Sequence, residues 1–195
     1  GKVVGISSEV EPNPTLKNVE DAAKKAAGAN ADCIIAFGGG SAMDCAKAVA
    51  IVLADKCDAK DLLSGHQITK ALPVIAIPTT AGTGSEVTAG AVLSDKEKGI
   101  KAAIFSPLIF PAIALVDPEL TYTLPEYQTM CGCVDIMMHT MERYFTLEKD
   151  TDLTDAIAEA LLKTVMKHAK ILKEDPENYD SRAQVMWASS LSHNG

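Results

Sequence analysis

Asp135 and His139 lie four residues apart in the run CGCVDIMMHTMERYF (131–145), whose other members are largely Met, Ile, Val and Phe. At about 3.6 residues per helical turn, that spacing stacks a carboxylate and an imidazole on one helix face, within reach of one cation. A metal ion that stays bound usually takes three or four protein ligands, so the pair predicts further ligands elsewhere. Glu142 falls in the same arc, either as a partner that orients a ligand or as half of a structural ion pair. Cys131 and Cys133 flank the pair as CxC and fit buried thiols better than zinc ligands. His66, in the polar loop SGHQIT, reads as a surface residue, and His168 as a residue at the core edge of a long amphipathic helix.

A second set of residues could hold an anion. GGGSAMDCAK places Gly38, Gly39, Gly40 and Ser41 between the end of a strand and the start of a helix. Free N–H groups and the helix dipole favour negative charge there. The spacing is neither GxGxxG nor GxxxxGK[ST], which removes the standard Rossmann fingerprint and weakens a kinase or ATPase reading. The alternative is a tight strand-to-helix turn with Ser41 as N-cap and Asp44 as its capping-box partner. The loop TTAGTGSE (79–86) carries two glycines among hydroxyl and carboxylate side chains, which is costly to order unless something binds. Two such loops at the ends of buried strands favour a dinucleotide, which sits at the carboxyl ends of parallel strands. Lys101, just beyond, reads equally as a cation for a ribose or phosphate and as a solvated strand lysine.

The elements that must position these residues follow from hydrophobic period. VVGIS predicts a first strand, and Leu16, Val19, Ala22, Ala23 and Ala26 keep a helical spacing. ADCIIAFGGG and KALPVIAIP predict strands apolar on both faces, as a parallel sheet covered by helices requires. VTAGAVLS and IKAAIFS, around DKEKG, predict an antiparallel hairpin, and PAIALVDP one more strand. Beyond about Leu124 the pattern turns helical, with helices over 126–147, 151–172 and from about Ser181. The expected fold class is therefore α/β, with a parallel-sheet, Rossmann-like nucleotide-binding domain over 1–122 and part of an all-helical metal domain over 123–195.

Composition narrows the function. A net charge of -8 and a pI near 5.0, without a basic tract, exclude a nucleic-acid surface that works by phosphate counterion release. Five cysteines, an odd count spread through apolar segments, fit reduced thiols in a cytoplasmic protein better than a disulfide framework. No apolar run reaches membrane-span length and no export signal is visible. Both ends of the sequence fall within elements and read as interrupted.

The series EPNPT, GGGSAMDCAKA, PTTAGTGSEVT, VDPELTYTLP and VDIMMHTMERYF resembles the iron-containing (group III) alcohol dehydrogenases. SRAQVMWASSLSHNG is most similar to their butanol dehydrogenase branch. The resemblance covers nearly the whole chain but about half of a family member. It implies interconversion of an alcohol and an aldehyde with NAD or NADP and a divalent metal, iron in the family and Zn(II) fitting almost equally. By motif position it implies Gly39, Gly40, Ser41, Asp44, Thr79, Thr80 and Ser85 on the cofactor side, with Asn13 and Lys101 in matching positions, and Asp135 and His139 as the first two metal ligands. The other two ligands of the family are histidines further along, and His193 does not match either. The resemblance also implies a small-molecule substrate, with members often dimeric or larger. Rival readings are a glycerol dehydrogenase or dehydroquinate synthase type of enzyme, and a nucleotide-binding fragment without turnover.

Overall fold

The structure, a computed structural model, describes residues 2–193. The chain divides into two units, Gly1–Ile77 with Ser85–Leu115 and Pro78–Gly84 with Val116–Gly195. The division thus falls a few residues before 122, and the second unit takes in a short piece from earlier in the chain.

In the first unit, helix α1 (Leu16–Gly28) opens on a capping box in which Thr15 and Asn18 satisfy each other's backbone N–H groups. Its apolar residues Val19, Ala22 and Ala23 are buried. Strand β1 (Ile34–Gly38) leads into α2 (Gly40–Asp55), a helix buried along most of its length. A short α3 (Ala59–Leu62), begun by an Asp58/Asp61 capping box, was not expected from hydrophobic period because it is a single turn. Strand β2 (Val74–Pro78) is the centre of a three-stranded sheet of order β1-β2-β5. Strand β5 (Ile113–Ala114) runs parallel to β2, pairing Ile75 with Ile113 and Ala76 with Ala114. The inward face packs Ala36, Val74 and Ala76 against Met43, Ala46 and Ala50 of α2. The hairpin of β3 (Gly90–Asp95) and β4 (Ile100–Phe105) is antiparallel, with Ser94 opposite Lys101.

One expected strand is absent. VVGIS lies in a segment without regular structure, and Val3, Val4 and Ile6 are exposed. β-branched composition describes what suits a pleated, half-buried surface, and this run has no paired neighbour to supply one. The first pairing of the chain comes later, as a parallel bridge between Thr15 and Ser94.

The second unit holds α4 (Glu126–Tyr144), α5 (Asp152–Glu174) and α6 (Tyr179–Ser192), close to the expected helical spans. Their core is Cys133 and Ile136 of α4, Leu161, Val165 and Leu172 of α5, and Val185 and Ala188 of α6. Along α5 burial begins at Ala158, and Leu153 and Ile157 are exposed. Arg182 is buried with its guanidinium donating to Pro176 O and Thr129 Oγ1, as a buried cation requires. Among the described residues no helix is long and apolar enough to cross a membrane.

Candidate functional site

In the first unit the site is built on the opening turns of α2. The N-cap is Gly39, with no side-chain cap bond, so the expectation of Ser41 as N-cap with Asp44 closing a capping box is corrected. The helix begins earlier than the polar pattern suggests, which puts Gly40 and Ser41 inside its first turn. Their backbone N–H groups lie where an α-helix has no internal acceptor to offer. Ser41 Oγ instead accepts from the backbone N–H of Asn13 at 3.1 Å, and Asn13 Oδ1 accepts from Lys101 Nζ at 2.7 Å. Asn13 adopts φ +58, a conformation that asparagine tolerates better than most residues. Asn13, Ser41 and Lys101, far apart in the chain, thus meet in one hydrogen-bonded series.

Asp44 faces the other way. Its Oδ1 accepts from Ser85 Oγ at 2.8 Å and its Oδ2 from the Val92 backbone N–H at 2.9 Å. Burial pushes its pKa above the usual carboxylate value, opposed by those two hydrogen bonds and by the Lys47 and Lys101 charges. One turn on, Lys47 is fully buried. Its ammonium donates among Ser85 O (2.7 Å), Gly90 O (2.8 Å), Ser85 Oγ and Thr88 O (both 2.9 Å). Burial lowers its pKa to about 8, against the pull of Asp44 and Glu86. Sequence reasoning missed this residue. The signal was present: a lysine inside CAKAVAIVLA, a helix apolar on nearly every face, has to find buried acceptors.

In the second unit, Thr79 and Thr80 open the turn that continues through Gly84, and Thr80 Oγ1 donates to Ala81 O at 3.2 Å. This turn packs on α4 and α6. A Cβ on Gly82 would sit 3.2 Å from Asp135 Oδ2, one on Gly84 2.2 Å from the His193 ring, and both glycines have positive φ. The glycines of TTAGTGSE are therefore required by protein packing, apart from any ligand. Gly82 N–H also donates to Ser189 Oγ of α6 at 2.8 Å.

Asp135 and His139 share the expected face of α4. Asp135 Oδ1 and His139 Nε2 are 3.4 Å apart, with 43% and 32% of each side chain exposed. Both remain reachable, and both are donor types for a divalent metal. The His193 ring lies with its centroid 4.1 Å from that of His139, tilted by 54°. Among the described residues no group of three or more His, Cys, Asp and Glu is placed to hold a metal ion. The pair thus fits a metal as two donors of a larger set. Glu142 and Cys131 are exposed, whereas Cys133 is buried and its thiol pushed up to about 11 by that burial. His66 is half-buried and reaches Asp55 Oδ2 at 3.2 Å; His168 meets Ser181 Oγ at 2.9 Å.

Comparison with known proteins identifies the family. Residues 1–118 match the family model for iron-containing alcohol dehydrogenase, and residues 129–194 match that for the Fe-containing alcohol dehydrogenase family, C-terminal. NADH-dependent butanol dehydrogenase B of Clostridium acetobutylicum is 41% identical over 187 residues, 95% of this chain and 48% of that protein. NADPH-dependent aldehyde reductase YqhD of Escherichia coli is 38% identical over 190 residues, 95% of this chain and 49% of that protein. Among solved structures, NADH-dependent butanol dehydrogenase A of Thermotoga maritima superposes with a TM-score of 0.89 at 34% identity, over 95% of this chain and 47% of that one. Sulfoacetaldehyde reductase of Bifidobacterium kashiwanohense, solved in complex with NAD+, gives a TM-score of 0.86 at 36% identity, over 95% of this chain and 50% of that one. The chain spans about half the length of the relatives it matches. It belongs to the iron-containing alcohol dehydrogenase family, with butanol dehydrogenases among its relatives.

Proposed function

We propose that the protein is a metal-dependent, NAD(P)-linked alcohol dehydrogenase that interconverts a primary alcohol and an aldehyde. In this reading residues 1–122 carry the dinucleotide and 123–195 begin the metal domain. The observation that carries it is the half-exposed Asp135–His139 pair in a chain that also presents an uncapped helix N-terminus after a glycine turn. A carboxylate and an imidazole left open on one helix face suit a cation, and an open helix start suits a pyrophosphate.

The residues divide the work. Gly39, Gly40 and Ser41 receive the cofactor's phosphates at the start of α2. Asn13 and Lys101 stand beside Ser41 and add a cation to that end; Thr79, Thr80, Asp44 and Ser85 complete the cofactor set. Asp135 and His139 would hold the metal, iron by family with zinc fitting almost as well, together with ligands outside these residues. A divalent metal there supplies Lewis-acid polarisation of the substrate oxygen. No side chain supplies the hydride, so the protein's part is to orient cofactor and substrate and to exclude water. A cytoplasmic location and a homodimer belong to the same reading.

The test is calorimetry with NADH and NADPH, metal analysis, and turnover of butanol and butanal by the full-length protein. We expect one dinucleotide and one divalent metal per chain, with turnover lost on chelation. Tight dinucleotide binding without metal or turnover supports the second reading, a nucleotide-binding polypeptide without catalysis. The two-donor count on α4 is what keeps that reading in view.

A further inference from the structure

The Lys47 ammonium has three N–H donors and meets five oxygens of a single segment, Ser85 O, Ser85 Oγ, Thr88 O, Thr88 Oγ1 and Gly90 O. Three of these are carbonyls, which only accept. Ser85 Oγ spends its own hydrogen on Asp44 Oδ1 and therefore accepts from Lys47. The cage offers a protonated amine acceptors on every side, where a neutral one would turn a lone pair toward them; these bonds offset part of the cost of burying the charge, and burial still lowers the pKa. With no exposed surface, Lys47 has no way to touch a cofactor.

What it touches is tied to Asp44, Lys101, Asn13 and Ser41. Lys47 grips Gly90 O at the start of β3, and Asp44 grips the Val92 N–H two residues on. Strand β3 fixes β4 in register, with Ser94 opposite Lys101. Lys101 then reaches Asn13, whose N–H returns to Ser41 on α2. The hydrogen-bonded circuit begins and ends on the first two turns of α2, where the phosphates would bind.

We propose that Lys47 is a positioning residue for dinucleotide binding: its buried ammonium orders the segment Ser85–Gly90 and, through β3 and β4, sets Lys101 and Asn13 beside Ser41. The inference rests on the dinucleotide reading above. Burial brings the Lys47 titration down to about 8, within experimental reach. The charged groups that face it are Asp44 on α2 and Glu86 in a 3₁₀ turn over Ser85–Val87, with Lys101 acting on Asp44.

The experiment uses the full-length protein with 13C-labelled lysine side chains. Lys47 is titrated by NMR with and without NADH, and the NADH Kd is measured by fluorescence from about pH 7 to about pH 10, in wild type and in Lys47→Met. In wild type we expect affinity to weaken about tenfold as Lys47 loses its proton, the scale of one charge-assisted hydrogen bond. Saturating NADH should then raise the Lys47 pKa by about one unit, because linkage is reciprocal. Lys47→Met, which retains Lys101, should bind about tenfold more weakly at neutral pH, with the Lys47-linked step gone. If Lys47→Met does not fold, the wild-type titrations decide alone. Wild-type NADH affinity unchanged across the Lys47 titration, with a pKa indifferent to NADH, overturns the inference and leaves the functional reading intact. Absence of NADH binding by wild type at neutral pH overturns both.

Discussion

The polar group on α2 and the polar pair on α4 are opposites. Asp44, Lys47 and Ser85 are internally bonded, with Lys47 at 0% exposure amid partners at 2.7 to 2.9 Å. Asp135 and His139 are 43% and 32% exposed and meet each other at 3.4 Å. A buried network whose acceptors are filled by its own donors has spent its chemistry on holding the fold. A half-exposed carboxylate and imidazole still have chemistry to offer, which is the ground for proposing a metal on α4 and a positional role for the α2 group. The two regions should therefore respond in opposite senses to mutation: stability should suffer on α2, and ligand retention on α4.

The largest effect is expected from Lys47→Met, which leaves the caging oxygens without their donor. Each buried acceptor left without its donor costs about 1–3 kcal/mol, and several are left here, read as a shift in urea midpoint at unchanged slope. The pH dependence sharpens this. Folding lowers the Lys47 pKa from 10.5 to about 8, so between those values the unfolded chain holds the extra proton. The contribution of this group to stability therefore rises with pH through that window. The wild-type stability relative to Lys47→Met should grow from pH 8 toward 10.5. An equal midpoint for both proteins at neutral pH would erase the contrast between the two regions.

Gly132→Ala tests whether the openness of the α4 pair is local. An added Cβ would lie 2.2 Å from Ala81 O, a backbone atom that cannot swing away, so helix and turn must part. Overpacking of this kind costs about 1–3 kcal/mol. Because Gly82 of the same turn lies against Asp135, we expect weaker metal binding alongside the stability loss. A variant as stable as wild type would mean that the turn does not brace the Asp135–His139 pair.

How much of this was readable in the sequence depends on the distance over which each feature is decided. The Asp135–His139 pair was readable because helix geometry alone places residues four apart on one face. The hairpin, β1, β2 and the three long helices were readable for the same reason: their signals are local periods. The N-cap was misread because the helix start depends on how the chain leaves β1, and the chain enters the helix at Gly40, ahead of Ser41. Lys47 could not be assigned partners because they lie 38 to 43 residues away. VVGIS failed because a strand is a relation between segments, and local β-propensity cannot supply the neighbour.

Asp55, at the far end of α2, offers an internal control for Asp135. Its carboxylate is held down to about 2, first by the Thr69 hydroxyl and then by the Thr69 backbone N–H, with His66 adding to both. Its pKa falls on folding, so its contribution to stability is present above the ordinary 3.8 and is lost as pH falls toward about 2. Thr69→Val should flatten that part of the acid-unfolding curve followed by circular dichroism. Superimposable curves for wild type and variant would show that Asp55 is not committed to the fold in the way proposed.

The smallest effect on stability, and the most informative for function, is expected from His139→Ala. The imidazole is about a third exposed and contacts Asp135 at 3.4 Å and the His193 ring at 4.1 Å between centroids. Its loss from metal-free protein should cost about 1 kcal/mol or less. Metal retention, followed by elemental analysis after dialysis, should fall to background, because a ligand set deprived of one imidazole loses the geometry that holds the ion. NADH affinity should stay near wild type, since α2 and its hydrogen-bonded circuit are untouched. If the variant instead keeps its metal and loses NADH, the roles of the two regions are reversed; if it loses as much stability as Lys47→Met, the α4 pair is a structural network like the one on α2.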